Sequence, residues 1–209
     1  RIKWIADYRD DWTTTELFKP PTGILGNLYK LEQKSEKKWI RSASFFTSVS
    51  EHYVNKIESF TGVKGYELIN GFGEVFESLD KKTLNRKRFE VTYNGSLYKS
   101  QPVEPFLNTF KKLIKKFDGI IHVHLNFPGL AFDRNQAMRV KEAMKGFEDH
   151  ITITERIPRE EIIEMQLKSN VLLMVSHSQL KGIPSSKLYE YIGLKKPVLL
   201  FPNDKDIIE

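Results

Sequence analysis

The residues best placed for chemistry are Ser185, Ser186, Lys187 and Glu190, inside the stretch Lys181-Gly-Ile-Pro-Ser-Ser-Lys-Leu-Tyr-Glu-Tyr-Ile-Gly-Leu-Lys-Lys-Pro-Val-Leu-Leu-Phe201. A loop of small residues entering a helix start leaves backbone N–H groups unpaired. Lys187 adds a cation in the first turn, and the combination suits a phosphate. Pro184 and the serines behind it are start signals, with Ser185 or Ser186 placed to cap the first turn. Leu188, Tyr191 and Ile192 fall at i, i+3 and i+4, so they form the stripe expected to pack inward. At about 100° per residue, Glu190 lies roughly opposite that stripe. It is also out of register for a capping box with either serine. Such a carboxylate is either solvated or turned to a ligand, where it could accept the paired hydroxyls of a ribose. Gly193 is a natural helix stop, and Pro197 opens Val198-Leu199-Leu200-Phe201, a run suited to a strand covered on both faces.

The segment Lys187-Leu-Tyr-Glu190-Tyr-Ile-Gly-Leu-Lys-Lys-Pro197-Val resembles the donor-binding segment of nucleotide-sugar-dependent glycosyltransferases with the two-domain GT-B fold, the large retaining family called group 1. The resemblance implies that the helix start touches the donor phosphates and that Glu190 holds the ribose. Where relatives often carry a second glutamate, eight residues earlier, this chain has Gly182.

A second polar group follows the apolar run Lys3-Trp-Ile-Ala-Asp-Tyr8, which reads as a buried strand. Arg9-Asp-Asp-Trp12 stands where that strand ends, and ligands of open α/β sheets gather at carboxyl ends of strands. The other reading is a structural ion pair between Arg9 and an aspartate. Trp4-Ile-Ala-Asp-Tyr-Arg-Asp-Asp-Trp is similar to a variant of the same family in which many relatives place a histidine near the reacting sugar. Arg9 and Asp10 occupy that place here, so the resemblance makes them candidates for acceptor orientation or catalysis, without a histidine's role.

The elements that must position these groups can be taken in order. Thr13 to Gly23 is a polar, proline-bearing loop. A long helix is expected next, with Leu25, Leu28, Leu31, Trp39 and Ile40 toward a core and Lys34-Ser-Glu-Lys-Lys38 as a solvated face. Ala43 to Val49 is a strand, Ser50 caps a helix through Tyr53, Val54 and Ile57 to Phe60, and Gly62 lies beyond its stop. Tyr66 to Ile69 is a short strand closed by Asn70-Gly71. Ser48-Val-Ser and Leu68-Ile-Asn-Gly-Phe72 together resemble the end of the family's first domain. Residues 72–88 are charged and aperiodic, as a linker would be. A second unit begins at Phe89 with a strand ending at Gly95, a turn where the backbone can approach a ligand. After Pro102, apolar residues at 103, 106, 107, 110, 113, 114 and 117 predict an amphipathic helix, with lysines 111, 112, 115 and 116 largely off the stripe. Strands are expected at Gly119–Leu125, Ile151–Thr154 and Val171–Val175. Helices are expected over Asn135–Lys145 and from Arg159. This alternation argues for a doubly wound parallel sheet.

Within that unit, Asn94-Gly-Ser-Leu-Tyr98 resembles the first strand-to-helix turn of the family's donor domain, which makes Gly95, Ser96 and Lys99 donor candidates. By the same resemblance, Ile157 and Pro158 are candidates for backbone contact with the base; on sequence alone they are a turn. His122 and His124 share one strand face, so the pair could ligate a metal. No third ligand has convincing spacing, and no metal site is expected. The glycines are too sparse for a dehydrogenase fingerprint.

Composition narrows the partners. The chain has 209 residues, 40% hydrophobic and 29% charged, no cysteine and a formal charge of +6. It holds no run near the ~18 apolar residues of a membrane span. Without cysteine, disulfides and thiolate metal sites are excluded. Basic residues are not interleaved with aromatics on one face, so nucleic acid is not an expected partner. The expectation is α/β, GT-B type, with two Rossmann-like doubly wound domains. Residues 1–76 are read as part of an acceptor-side domain, 77–88 as a linker and 89–209 as most of a donor domain, both ends of the fold being truncated. The resemblance implies transfer of a sugar, with retention, from a UDP or GDP type donor to a glycan or lipid-linked acceptor, without a cofactor. It places the protein in bacterial polysaccharide or glycoconjugate biosynthesis, in the cytoplasm or peripherally at the inner membrane surface. Two alternatives remain open: a sugar-nucleotide epimerase of the same fold, and a non-catalytic basic binding module.

Overall fold

The computed structural model describes residues 2–15, 20–73, 87–178, 182–183 and 185–208. The expected linker 77–88 lies outside these residues up to position 86, as do Lys181, Pro184 and part of the loop between Thr13 and Gly23. The chain divides into two compact units: Arg1–Asn70 with Gly182–Pro184, and Gly71–Lys181 with Ser185–Glu209.

The first unit holds a parallel sheet of order β1-β2-β3, with β1 at Ile5–Tyr8, β2 at Phe45–Ser48 and β3 at Gly65–Glu67. Helix α1 (Gly23–Ile40) joins the first two strands and α2 (Glu51–Thr61) the next two. Ser50 caps α2 by accepting the Tyr53 N–H at 3.3 Å, and Gly62 closes it in the left-handed conformation at φ 74°. Both roles are legible in sequence. Ile40, Phe46, Val49, Tyr53, Val54 and Ile57 form the core.

Three expectations need correction here. β1 is an edge strand among the described residues, so Ile5 and Asp7 are exposed rather than buried. β3 ends at Glu67, leaving Leu68 and Ile69 exposed beyond its last pairing. The largest departure is α1, where Leu25, Leu28, Leu31 and Trp39 are each more than half exposed. Ile40 alone of the expected stripe is buried. The inward face continues through Tyr29, Gln33 and Glu36, rotated by about 100° from the leucines, so that Tyr29, Gln33, Glu36 and Ile40 share one side at helical spacing. Three of these four side chains reach the buried Thr13. The Tyr29 hydroxyl and Gln33 Nε2 donate to its carbonyl, and Glu36 Oε2 accepts its N–H at 3.2 Å and its hydroxyl. A buried loop residue must have its backbone groups satisfied, and here a polar helix face meets that demand. Glu36, expected on a solvated face, is 1% exposed.

The second unit is a five-stranded parallel sheet of order β6-β5-β4-β7-β8. The strands are β4 Arg88–Thr92, β5 His122–Phe127, β6 Ile151–Ile153, β7 Val171–Val175 and β8 Val198–Phe201. Connecting helices are α3 Val103–Phe117, α4 Arg134–Ala143, α5 Arg159–Lys168 and α6 Ser186–Gly193, and α7 (Lys205–Ile208) follows β8. Chain order runs from β4 outward to β6, then returns to β7 on the other side of β4. The doubly wound expectation is met. One face carries a continuous core from Val91, Leu107, Phe110, Leu125, Phe127, Val140 and Leu173. The opposite face of β7 packs Leu172 and Met174 against Leu167, Tyr191 and Leu194. Among the described residues, no helix is long and apolar enough to cross a membrane.

At the C-terminal end, Ile192 is about half exposed and Leu194 takes its place in the core. Gly193 is the last helical residue, and the left-handed position falls on Lys195 at φ 54°. Its N–H donates to Ile192 O at 2.9 Å, so a lysine carries the turn expected of the glycine. β8 is an edge of the described sheet and Leu199 remains 45% exposed, so the strand is not covered on both faces.

Candidate functional site

The order of the second sheet makes a switch point between β4 and β7, where successive connections leave in opposite directions. In open α/β sheets a crevice forms outside the carboxyl ends of such strands. β4 runs into Tyr93-Asn94-Gly95-Ser96 at this edge. Gly95 adopts φ 150°, a conformation essentially reserved for glycine. A methyl group added there would sit 3.8 Å from Lys187 Cγ, so the turn and the start of α6 are neighbours.

Two side chains fix that approach. The Tyr93 hydroxyl donates to Ser96 O at 2.7 Å, holding the turn in shape. The Tyr191 hydroxyl accepts the Asn94 N–H at 2.9 Å and donates back to Asn94 O at 3.4 Å. Burial pushes both phenols well above the usual tyrosine range, so each hydroxyl keeps its proton. Tyr191 belongs to the apolar stripe in sequence, and in the fold its hydroxyl also ties α6 to the β4 turn.

Ser185 caps α6 by accepting the Lys187 N–H at 3.3 Å, and Ser186 is the first helical residue. Lys187 Nζ lies 3.4 Å from both carboxylate oxygens of Glu190. Arg159 Nη2 reaches Glu190 Oε1 at 3.5 Å. Glu190 is therefore neither free in solvent nor packed: two cations flank it, and its side chain is 20% exposed. Arg159 was missed. It follows Ile157-Pro158 at the first position of α5, where a positive charge opposes the helix dipole. A cation that the local helix disfavours is the signal that could have found it. Ile157 is half-buried and Pro158 exposed at the same helix start.

The remaining candidates are more scattered. Lys99 is exposed in the turn before α3 and enters none of the described ion pairs. Gly182 adopts φ 67°, which costs glycine nothing and strains any other residue, a glutamate included. In the first unit, Arg9 Nη2 donates to Asn70 Oδ1 at 3.1 Å, while Asp10 is exposed. The described ion pair of that loop is Asp11 with Lys56, at 2.5 Å, rather than Arg9 with an aspartate. Arg9 and Asp10 both line a cavity of about 350 Å³ in their unit.

His122 and His124 do share a face of β5, 3.4 Å apart between Nε2 and Nδ1. His150 stacks on His122 with ring centroids 4.9 Å apart, and His124 Nε2 meets Thr152 Oγ1 at 2.8 Å. Burial holds His122 and His124 below the ordinary imidazole value, so the neutral rings are favoured. Among the described residues, no group of three or more histidine or acidic side chains could hold a metal ion.

No protein-family model matches the sequence, and no curated protein matches it. Several solved structures share its fold. HepE from Anabaena, in complex with UDP and glucose, superposes with a TM-score of 0.65 at 12% identity, over 95% of this chain and 52% of that one. A TarM variant from S. aureus, in complex with fondaparinux, α-GlcNAc-glycerol and UDP, gives 0.54 at 13% identity, over 86% and 34%. A UDP-forming α,α-trehalose-phosphate synthase from Burkholderia xenovorans gives 0.52 at 15% identity, over 87% and 51%. The chain thus spans about half of the HepE and synthase chains and a third of TarM. These likenesses establish the fold, a Rossmann-like α/β architecture of the GT-B type.

Proposed function

We propose that this chain is a donor-binding and acceptor-side part of a glycosyltransferase that moves a sugar from a nucleoside diphosphate donor to a hydroxyl acceptor. The observation that carries the reading is the meeting of Gly95, Lys187, Glu190 and Arg159 at the switch point of the second sheet. Two cations flank one carboxylate, so the cluster bears net positive charge and still offers an acceptor pair. A nucleoside diphosphate complements it: phosphates match the cations and the helix start, and ribose hydroxyls match Glu190.

Ser96, Ser185, Ser186 and Lys187 would hold the leaving diphosphate, with Lys99 beside them. Preorganised N–H groups and cations stabilise charge that builds on a departing phosphate, without covalent chemistry. Ile157 and Pro158 precede Arg159 and would offer backbone to the base. Gly182 would leave room beside the transferred sugar where relatives set a glutamate. Arg9 and Asp10 would orient an acceptor glycan or lipid-linked saccharide. Transfer with retention rests on the family resemblance. UDP is the first donor nucleotide to test, since UDP is bound in the HepE and TarM structures named above.

Calorimetric titration with UDP, GDP and ADP at identical salt tests the reading. Saturable binding of one diphosphate without added metal is expected, and Glu190→Ala should weaken it by about 1–3 kcal/mol. Absence of binding by all three, or an affinity unchanged in Glu190→Ala, would remove this cluster from consideration as the donor site.

A further inference from the structure

The turn that carries Gly95, Ser96 and Lys99 is tied to the end of β7 as well as to α6. Gln101 Nε2 donates to Val175 O, and Gln101 Oε1 accepts the Tyr98 N–H at 2.8 Å. The Ser178 N–H donates to Ser100 O at 3.3 Å. These bonds are made by amides and backbone, which have no proton to gain or lose near neutral pH. Arg139 of α4 adds donations to Tyr98 O at 3.2 Å and Gln101 O at 2.7 Å. The shape of the turn is therefore held without help from a group that titrates near neutrality.

One contact between the same two loops is of another kind. Ser100 Oγ lies 2.8 Å from His177 Nδ1. The ring stands just beyond β7 and is 7% exposed, whereas Ser100 is exposed. A buried imidazole thus backs an exposed hydroxyl where the loops of β4 and β7 part, the place where a crevice forms. The direction of their bond depends on the ring. A neutral ring with its hydrogen on Nε2 accepts the Ser100 proton, and the hydroxyl then has no donor left. An imidazolium donates from Nδ1 to the Ser100 oxygen, and the hydroxyl hydrogen is released to point outward.

The surroundings poise the ring between these states. Burial holds His177 below the ordinary imidazole value, while the Asp204 carboxylate works in the opposite direction. Asp204 itself is 1% exposed, just ahead of α7. The Tyr98 ring faces the imidazole with centroids 5.9 Å apart. Among the described residues, the neighbours along β7 and beyond are Ser176 and Ser178, Lys99 and Lys205 are exposed, and Arg139 is paired with Glu104. Lys99 is the one cation in the sequence from Asn94 to Gln101.

We propose that Ser100 is a further donor-binding group and His177 its positioning residue: when a nucleoside diphosphate-sugar binds, Nδ1 takes a proton from solvent and Ser100 turns to donate to a diphosphate oxygen. No bond of the ligand is broken in this step. The proposal rests on the donor-site reading and adds a proton count to it. An anion beside the turn favours the charged ring, so the occupied state binds more protons than the empty one. Affinity then rises as pH falls toward the ring's empty-site value and levels off below it.

Calorimetric titration of the whole chain with UDP-glucose, GDP-mannose and ADP-glucose tests this, because a diphosphate diester has no group of its own that titrates near neutral pH. The ester that binds is expected to do so about fivefold to tenfold more tightly at about pH 6 than at about pH 8. Proton uptake should appear as a binding heat that differs between buffers of unlike protonation enthalpy. His177→Gln should flatten the pH profile and abolish the uptake while binding persists at its alkaline level. Ser100→Ala, at an exposed position, should keep the fold and lose affinity at the acid end alone; it decides the matter if His177→Gln does not fold. A flat profile in the unaltered chain, a buffer-independent heat, or a loss in Ser100→Ala that is equal at both pH values would overturn the proposal and leave the donor reading standing. Binding of none of the three esters would sink both.

Discussion

Helices α1 and α3 look alike in sequence and behave differently. Both are lysine-rich, both carry an apolar stripe, and both connect neighbouring parallel strands. α3 buries Val103, Phe106, Leu107, Phe110 and Ile114, while α1 buries only Glu36 and Ile40. Length explains the contrast. α1 has 18 residues and extends about 27 Å, whereas the four-residue strands beside it cover about 13 Å. About half of the length of α1 is therefore more than the strands can cover. α3, at 15 residues and about 22 Å, lies over strands of five and six residues that span nearly as much. Periodicity shows which face of a helix is apolar; the extent of the sheet decides how much of that face is covered.

This contrast can be broken by substitution. Leu107→Ala in α3 removes a fully buried side chain and should cost about 2–5 kcal/mol, read from the urea midpoint of the second unit. A cost below about 1 kcal/mol would mean that its core is looser than the packing implies.

A smaller effect separates the units by pH. His122, His124 and His177 are held below the ordinary imidazole value by burial, and all three belong to the second unit. The folded state then binds fewer protons than the unfolded chain. Stability conferred by these groups is present above about pH 6.5 and declines as pH falls through that value toward their folded pKa. Lowering pH from about 7 to 5 should shift the second unit's denaturation midpoint downward, and His124→Gln should flatten the shift. An unchanged slope in that variant would exonerate His124. Glu58, Glu104 and Glu148 are held below the carboxylate range, so their contribution is lost only in more acid solution.

The smallest effect is predicted for α1. Leu28→Ser should alter stability by no more than about 0.5 kcal/mol, the usual range for exposed positions. A loss of about 2 kcal/mol or more would show that something covers this stripe.

Much of the fold was legible because local chemistry dictated it. Ser50 and Gly62 bound α2 where capping rules place them, and the apolar run Val171–Val175 is β7. Ser185 and Lys187 were also found by local rules, since a cap and a first-turn cation are properties of one segment. What escaped depends on residues far apart. Arg159 reaches Glu190 from another helix, and Tyr191 grips Asn94 from 97 positions away. Likewise, Trp4, Trp12 and Trp39 become one wall only when α1 lies against β1. The exposed edges of β1 and β8 depend on how many neighbours a strand acquires, which apolar content does not encode.

The position of β4 at the centre of the second sheet has a consequence for synthesis. Its first partner, β5, emerges about 30 residues later, but β7, on its other side, is separated from it by about 80. With a ribosome adding about 5–20 residues per second, that edge waits on the order of 4–16 s with its N–H and C=O groups open. An unpaired strand edge is a template for the wrong partner. The nascent chain therefore carries an open β4 edge through the whole interval from β4 to the arrival of β7, and that is the interval in which a chaperone would have this edge to protect.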